Sequence, residues 1–410
     1  MIGKRGKFIA VESDAQQVGF MDPLRWAIYS GTVIFIVFSI LLLIWAGAFK
    51  LDTPATTQGP TPSPAVSGPQ AKANTESPPS PAVQLSVVPW IVAQQEIDGH
   101  WDATKWGGTR EQNVGITGLV LLSLAGAGHN ERSGKYKGVV SKAINWLAQQ
   151  QDDKGSFAPK ETMYSHAIVT LALLQEVDMC PVPATKAIAK RGLDYMLSVQ
   201  TKQGAWGDKP NESDNTSVTA WCVMALKTAR VAGFDVPKDA WAGVSSYLDS
   251  VTDPDTGEVG YTMRPNKDAS TPSYQKYSMT ACGMLCRLYT GTPREDRLIR
   301  NGALILMENL PEWNQPGLDA PFYYYWYFGT LVMFQLEGDS WRKWNSKKRD
   351  MLVSHQDNTP GELKGSWDPS SKPDVTGFSG RVYSTAMAML TLEIYYRYEI
   401  ISKTGTSEKH

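Results

Sequence analysis

The sequence QTKQGAW at 200–206, followed after a polar loop by DNTSVTAW at 214–221, decides the fold of this chain. An amphipathic helix is predicted to end near Gln200. Gly204 then supplies the backbone freedom that a tight turn needs, and Trp206 supplies a large apolar anchor. Asp214 is predicted to cap a new apolar helix. The pattern is that of a helical hairpin.

The same turn recurs along the chain. A Gln, a Gly four residues later and an aromatic residue two further on occur at 95–101, 151–157 and 200–206. Weaker versions surround Tyr261 and Trp313, and a clear one ends at Trp367. The aromatic positions are 101, 157, 206, 261, 313 and 367, with gaps of 56, 49, 55, 52 and 54 residues. A repeat of this length in six copies indicates an array of hairpins.

Two kinds of helix alternate between these turns. One is amphipathic, as at 186–199, and the other is apolar nearly all round, as at 114–125 and 218–226. Fully apolar helices must be covered on every side, which favours a closed ring over an open stack. The predicted pairs are 86–96 with 112–126, 137–151 with 162–178, 185–200 with 214–231, 237–250 with 275–290, 295–309 with 321–336 and 340–356 with 380–399. The sequence therefore predicts an all-α fold, an (α/α)6 toroid of six hairpins.

These turns resemble the QW-type repeats of squalene and oxidosqualene cyclases and, more loosely, those of protein prenyltransferase β subunits. The resemblance covers residues 86–402 and implies an α/α toroid. Such cyclases protonate an alkene or epoxide with the middle Asp of an Asp-x-Asp-Asp motif. The matching segment here is Glu-Ser-Asp-Asn-Thr at 212–216, so only Asp214 is retained. The cyclases also form their cavity between two helical domains, and one such domain fits here.

Side chains at the starts of the inner helices are candidates for a binding site, because those starts can surround one end of the ring. Asp214 is the candidate catalytic acid, with helix capping as the competing role. The run FYYYWYF at 322–328 is either an aromatic wall for an apolar ligand or the packing of a covered helix. Arg381 either binds an anion or fixes the last repeat to the first. The candidate ligand-binding residues are Tyr164, His166, Thr216, Tyr277, Tyr323, Tyr327, Arg381 and Tyr383.

Metal and nucleic-acid functions are not indicated. The four cysteines lack Cys-x-x-Cys spacing, and the Asp-x-Cys of prenyltransferase zinc sites is absent. Cys282 and Cys286 are predicted to be core residues of an apolar helix. The 40 basic and 41 acidic residues nearly cancel, so no nucleic-acid partner is expected. No metal and no cofactor is predicted.

The N-terminal region predicts a membrane anchor. Residues 26–49 form an apolar run without charge, and about 24 helical residues span a bilayer core. Basic residues precede the run, so residues 1–25 are predicted to be cytoplasmic and the rest extracytoplasmic. A cleaved signal peptide is the alternative. Residues 50–85 are a Pro/Ser/Thr-rich linker, and 403–410 are a disordered tail.

These features predict a membrane-anchored, single-pass protein whose toroid is a non-catalytic module that binds a lipid, peptide or protein. The alternative is an isoprenoid cyclase with Asp214 as the proton donor. An (α/α)6 carbohydrate-active enzyme is a third reading, because such enzymes place two carboxylates across a cleft. No pair of carboxylates is singled out by the spacing, and the sequence leaves the question of catalysis open.

Overall fold

The computed structural model describes residues 81–157, 162–266, 273–314, 322–369 and 377–397. These residues form twelve α-helices and no strand. The helices are α1 (Pro81–Ala93), α2 (Asn113–Gly126), α3 (Lys137–Gln150), α4 (Met163–Met179), α5 (Pro183–Ser198), α6 (Thr216–Val231), α7 (Lys238–Val251), α8 (Ser273–Tyr289), α9 (Arg297–Met307), α10 (Tyr323–Leu336), α11 (Gly338–Ser354) and α12 (Arg381–Arg397). From α2 onward, their bounds differ from the predicted ones by at most two residues.

Predictions for the N-terminal region and the tail fall outside the described residues. These are the cytoplasmic segment 1–25, the apolar run 26–49, the tail 403–410 and most of the linker 50–85. The linker and first-helix bounds differ in part from the structure, because α1 already begins at Pro81. Among the described residues, no helix is both long enough and apolar enough to cross a bilayer.

The helices form two concentric layers. The even-numbered helices are buried nearly all round, and the aromatic residues of α10 from Tyr323 to Phe328 are at most 2% exposed. The odd-numbered helices bury one stripe, which in α3 consists of Val140, Ala143, Ile144 and Leu147. Each even-numbered helix packs against the next, and α12 packs against α2. The inner layer is therefore a closed ring, as the apolar pattern predicted.

The two ends of the ring differ in what lies there. Every outer helix runs toward the end where the repeated turns lie and where the inner helices begin, which we call the mouth. The opposite end, where the outer helices begin and the inner helices finish, we call the base. Pro81 opens the first outer helix and Arg397 closes the last inner helix. Both ends of the described toroid therefore leave from the base.

The turn aromatics hold each hairpin together. The Trp206 indole Nε1 donates to the Met196 carbonyl at 2.8 Å, and the Trp206 backbone N–H donates to Thr219 Oγ1 at 3.1 Å. One bond reaches the outer helix and the other reaches the inner helix. Trp101 and Trp367 make the equivalent pairs of bonds. Because these rings are buried, their N–H groups need protein acceptors, and the turn provides them.

The turn glutamines join neighbouring hairpins. Gln200 Nε2 donates to Gly204 O in its own turn at 2.8 Å and to Ala240 O in the next outer helix at 3.0 Å. Gln95 and Gln151 bridge to the next outer helices in the same way, through Val139 O and Ile188 O. Each of these glutamine amides therefore links two successive repeats.

The turn glycines allow the same junction to close. Gly204 has φ +88°, and a Cβ there would lie 2.1 Å from Gly243 O in α7. Gly99 and Gly155 meet the outer helices that follow them just as closely. A side chain at Gly204 would therefore force the two hairpins apart, in addition to straining the backbone.

The fourth turn has a different anchor from the one predicted. Tyr261 was the predicted aromatic, but the Val259 backbone N–H makes the equivalent bond, to Thr280 Oγ1 at 3.2 Å. Val259 also forms the β-bridge to Thr252 that corresponds to the bridge between Gln95 and Trp101. The spacing from Gly257 agrees, and Tyr261 lies two residues beyond the anchor. The sequence pattern rests on aromatic residues, so it did not predict the aliphatic anchor Val259.

The first and last hairpins close the ring through contacts of their own. Trp90 Nε1 in α1 donates to the Glu362 carbonyl in the sixth turn at 2.8 Å. Gln112 Nε2 donates to Gly377 O at 2.7 Å, and the Ser379 hydroxyl donates to Gly107 O at 3.3 Å. The sixth turn thus contacts α1 as each earlier turn contacts the outer helix that follows it.

We expect replacement of Gln200 to loosen the junction between the third and fourth hairpins. Gln200→Ala removes two hydrogen bonds and should lower the free energy of unfolding by about 1–3 kcal/mol. Gln200→Glu should cost more, because a carboxylate would face two carbonyl oxygens. Denaturant unfolding of the full chain measures both, with Gln150→Ala as a control, since Gln150 bonds only to Trp146 O within its own helix. Equal stability of Gln200→Glu and the native chain would contradict the role assigned to Gln200.

Candidate functional site

The third and fourth turns at the mouth each cap the inner helix of the preceding repeat. The Asp208 carbonyl, two residues past Trp206, accepts from the Met163 N–H of α4 at 2.8 Å. The Tyr261 carbonyl, two residues past Val259, accepts from the Thr216 N–H of α6 at 2.8 Å. The first N–H groups of a helix have no acceptor within the helix, so these carbonyls supply acceptors that the helix itself lacks. The capping also places the Asp208 and Tyr261 side chains at the mouth.

Four side chains near these caps form what we call the mouth cluster, which consists of Tyr164, Asp208, Ser217 and Tyr261. The Tyr164 hydroxyl lies beside the Ser217 and Tyr261 hydroxyls, close enough for both to influence its pKa. It nevertheless makes no hydrogen bond of ordinary geometry, although the atom is buried and the residue is 1% exposed. Burial raises the Tyr164 pKa well above its usual value, so the phenol stays protonated and can donate.

Asp208 provides the carboxylate of the cluster. Its backbone lies at the exposed rim, and its Oδ1 has a long contact of 3.4 Å with Asn215 Nδ2. Partial desolvation of the carboxyl raises its pKa, the Asn215 contact opposes this, and nearby Glu212 adds to the rise. The negative charge also raises the pKa of both neighbouring tyrosines, after burial as the main cause. Asp208 therefore offers an acceptor with unused capacity.

A line of polar groups leads from the cluster into the ring. Ser217 Oγ lies 2.6 Å from the Tyr324 hydroxyl, which in turn lies 3.5 Å from Cys282 Sγ. Ser217, Tyr324 and Cys282 are fully buried. Burial raises the pKa of the Cys282 thiol above its usual value, so it remains a thiol. Cys222 and Cys286 are likewise buried and free, consistent with the core role predicted for Cys282 and Cys286.

Beyond Tyr324, aromatic side chains of α6 and α10 contact each other in the interior. These helices are separated in the ring by α8, so their side chains meet through the interior. The Trp221 ring stacks on Tyr327 at a centroid distance of 5.7 Å and meets the edge of Phe328 at 5.3 Å. Tyr327 and Phe328 are 0% exposed and Trp221 is 1% exposed. Tyr327, a predicted ligand-binding residue, is thus packed in the core.

Asp214 lies apart from the ring interior. Its Oδ2 accepts from Thr201 Oγ1 at 2.8 Å, within the turn that precedes α6. Burial raises the pKa of this carboxyl, and the Thr201 hydrogen bond opposes the rise. The predicted cap was misplaced by one residue, because Asn215 Oδ1 accepts from the Val218 N–H at 2.8 Å. Asp214 instead holds its turn to the end of α5.

His166 is part of the turn structure. Its Nδ1 accepts from the Phe157 N–H at 3.2 Å, which leaves Nε2–H to donate to Gly192 O at 3.0 Å. In the third repeat, Thr219 accepts the corresponding turn N–H. The His166 ring is 0% exposed, and burial lowers its pKa to about 4. The ring is therefore neutral at neutral pH and does not line the mouth.

Two further candidates hold backbone groups near the mouth. The Thr216 hydroxyl donates to Gly260 O at 2.7 Å, and the Tyr323 hydroxyl donates to Asp368 O at 2.6 Å. Arg381 donates to Ser366 Oγ at 2.9 Å and pairs with the Asp368 carboxylate. The guanidinium thus holds the turn of its own repeat, whereas the sequence suggested an anion or the first repeat as its partner.

The two remaining candidates are tyrosines outside the mouth cluster. Tyr383 is 4% exposed and packs against Phe378 at a centroid distance of 5.8 Å. Tyr277 is half-buried near the start of α8, and its ring centroid lies 5.9 Å from that of Tyr325. Of the predicted residues, only Tyr164 belongs to the mouth cluster.

Asp208 was missed, although the sequence carried a signal for it. Three turn aromatics are followed within two residues by an aspartate, which gives Asp102, Asp208 and Asp368. Asp102 accepts from the Thr104 N–H and hydroxyl, and Asp368 pairs with Arg381. Asp208 has only the long contact with Asn215. The sequence marks all three aspartates alike, and their partners in the structure set Asp208 apart.

No arrangement for a metal ion is found among the described residues, where no three His, Cys, Asp or Glu side chains converge. The polar groups of the mouth cluster are three hydroxyls and the Asp208 carboxylate, with the Asn215 amide beside it. Such groups can orient a neutral or polar ligand through hydrogen bonds.

Solved structures that resemble this chain are α/α toroids. An α-amylase from Clostridium perfringens gives a TM-score of 0.53 at 12% identity, over 77% of this chain and 97% of that chain. A type II terpene cyclase from Scytonema gives 0.52 at 12% identity, over 77% and 96%. A cellobiose 2-epimerase from Bacillus thermoamylovorans gives 0.54 at 10% identity, over 76% and 96%. At such identities the likeness establishes the fold alone, and the predicted toroid is confirmed.

The sequence itself matches no family model and no curated protein. The resemblance to terpenoid cyclases therefore extends to the toroid architecture. The solved toroids differ widely in the chemistry that their names describe, so the residues of this chain must carry any functional argument.

We expect stability to depend on pH through His166. Its pKa is about 4 in the folded chain and about 6.5 when unfolded, so the unfolded state takes up a proton first as the pH falls. The free energy of unfolding should be unaffected by His166 above pH ~6.5. It should fall by on the order of 2–3 kcal/mol as the pH drops from ~6.5 to ~4. Thermal unfolding of the full chain measures this. The His166→Thr variant, which installs the residue used in the third repeat, should lose less stability over that window. The same acid dependence in both chains would contradict the prediction.

Proposed function

We propose that the toroid is a membrane-tethered binding module that contacts its ligand at the mouth, around Asp208, Tyr164 and Tyr261. It would be non-catalytic and would lie outside the cytoplasm, held by the apolar run at 26–49. A peptide, a lipid headgroup or a partner protein could each supply polar groups to such a surface.

The observation that carries this proposal is the packed interior between α6 and α10. A cyclase needs an open apolar chamber in which a long hydrocarbon can fold and a carbocation can be shielded. Here Trp221, Tyr327 and Phe328 contact one another across that space and are at most 1% exposed. Opening a chamber there would require these rings to leave a close-packed core, and such rearrangements are costly.

The geometry of Asp214 supports the same conclusion. A proton donor for an alkene must face the substrate, and the Asp214 carboxyl instead receives a hydrogen bond from Thr201 in its own turn. Two groups with unused hydrogen-bonding capacity, Asp208 and the Tyr164 hydroxyl, lie beside each other at the mouth. Polar contacts at an exposed rim suit recognition of a ligand from outside.

We expect charge reversal at Asp208 to abolish ligand retention. The full chain, purified in detergent and incubated with cell-envelope extract, should retain a component that mass spectrometry identifies. Asp208→Lys should lose that component, because a cation would replace the acceptor at the mouth. Asp194→Lys is the matched control, since Asp194 lies exposed on α5 and pairs only with Lys190. Loss in both variants, or in neither, would contradict a binding role for the mouth.

The cyclase alternative has its own decisive outcome. The same preparations are incubated with squalene and 2,3-oxidosqualene, and products are analysed by gas chromatography with mass spectrometry. The proposal expects no cyclised product from the native chain. A product that appears with the native chain and disappears with a stably folded Asp214→Asn variant would establish the cyclase instead.

The proposed topology is tested with reporter fusions. Alkaline phosphatase fused after His410 should be active in a bacterial host and green fluorescent protein dark, because the basic residues that precede the apolar run favour a cytoplasmic N-terminus. Membrane association after carbonate washing should persist, since the anchor is not cleaved. The opposite reporter pattern, or release of a shortened soluble chain, would contradict this topology.

A further inference from the structure

We infer that the mouth cluster binds a neutral, hydroxyl-rich ligand of the carbohydrate class, with Asp208 accepting from a ligand hydroxyl and Tyr164 and Tyr261 donating to its oxygens. This inference rests on the proposal that the mouth is the binding surface, and it names the chemistry of the ligand.

The unpartnered Tyr164 hydroxyl is the first support. The residue is 1% exposed, and its oxygen lies beside the Ser217 and Tyr261 hydroxyls without a hydrogen bond of ordinary geometry, whereas buried hydroxyls are almost always paired. Ser217 Oγ lies 2.6 Å from the Tyr324 hydroxyl and bonds to it, so it does not supply Tyr164 with a partner. A ligand group that bonds to the Tyr164 hydroxyl must enter beside Asp208 and Tyr261, the two cluster members with exposed surface. A ligand oxygen at that position would replace a missing hydrogen bond.

The charge of the cluster favours a neutral ligand. Its one ionisable acid is Asp208, and the nearby Lys209 side chain pairs with Glu212 at 3.7 Å on the exposed loop. An anion such as phosphate would face the Asp208 carboxylate without a cation in the cluster. A metal ion would meet a single carboxylate, since the described residues hold no cluster of metal-binding side chains.

The pairing of donors and acceptors favours hydroxyl groups. Asp208 can only accept when ionised, whereas protonated Tyr164 and Tyr261 can donate. A ligand hydroxyl both donates and accepts, so adjacent hydroxyls can satisfy the carboxylate and the phenols together. The half-buried Tyr261 ring adds an amphipathic surface, with an apolar face for the C–H groups of a sugar ring and a polar tip. Polyhydroxylated rings combine these features.

The test measures binding of maltotriose, cellotriose and mannotriose to the full chain in detergent by saturation-transfer NMR and calorimetry. At least one should bind, Asp208→Asn should weaken it about tenfold, and Tyr164→Phe should weaken it several-fold, as expected for lost hydrogen bonds. Asp194→Asn on α5 and Tyr136→Phe before α3 at the base should bind as the native chain does. Tyr164→Phe removes only a hydroxyl that lacks a partner, so its stability should equal or exceed that of the native chain.

Two other probes separate the possible ligand classes. Binding of choline that Asp208→Asn abolishes, without oligosaccharide binding, would assign a cation site and overturn this inference. Binding of inorganic phosphate at the mouth would overturn it as well. Unchanged oligosaccharide binding in Tyr164→Phe would show that the Tyr164 hydroxyl does not contact the ligand. That result would also contradict this inference.

Failure of the inference is distinguishable from failure of the proposed function. If no oligosaccharide binds but Asp208→Lys still loses the component retained from envelope extract, the mouth remains the binding surface and only the carbohydrate class is wrong. If retention is insensitive to Asp208→Lys, both statements fail.

Discussion

The junction between one turn and the next outer helix is the constraint on which this toroid depends. At the first three turns a glutamine amide donates both to its own turn and to a carbonyl of the following hairpin, as Gln200 does to Gly204 and Ala240. The glycine beside it lets the two backbones approach more closely than any side chain would allow. Local turn geometry and contact between repeats are thus set by the same few residues, which is why the motif recurs as a unit.

That junction occurs at the first three turns, and the ring closes through a different bond. The sixth turn contacts α1 through the hydrogen bond from Trp90 Nε1 to the Glu362 carbonyl. The first outer helix therefore contacts the last turn, just as the later outer helices contact the turns that precede them. A solenoid must cap its two ends with polar surface, whereas a closed ring has no ends to cap. The fully apolar inner helices are stable in water because each has neighbours on both sides.

The period and the apolar pattern predicted the helices well because both are local properties of the sequence. The fourth anchor and the cap of α6 were harder, since Val259 and Asn215 are identified by which backbone group they meet. The candidate site was predicted least well. Tyr164 was identified from its helix start, but Asp208 and Tyr261 reach the mouth because the carbonyl of each caps the helix of another repeat. His166 shows the opposite error, since a residue type associated with chemistry takes a structural position that Thr219 holds elsewhere.

Both ends of the described toroid leave from the base, and this has a mechanical consequence. Force applied between Pro81 and Arg397 acts on the first outer helix and the last inner helix, which pack against each other. That contact is the seam where the ring was closed, so tension would open the ring between α1 and α12 before it loads the central hairpins. The mouth cluster is built from the second, third and fourth repeats, remote from this seam along the chain. A pull transmitted through the termini would therefore reach the mouth cluster last.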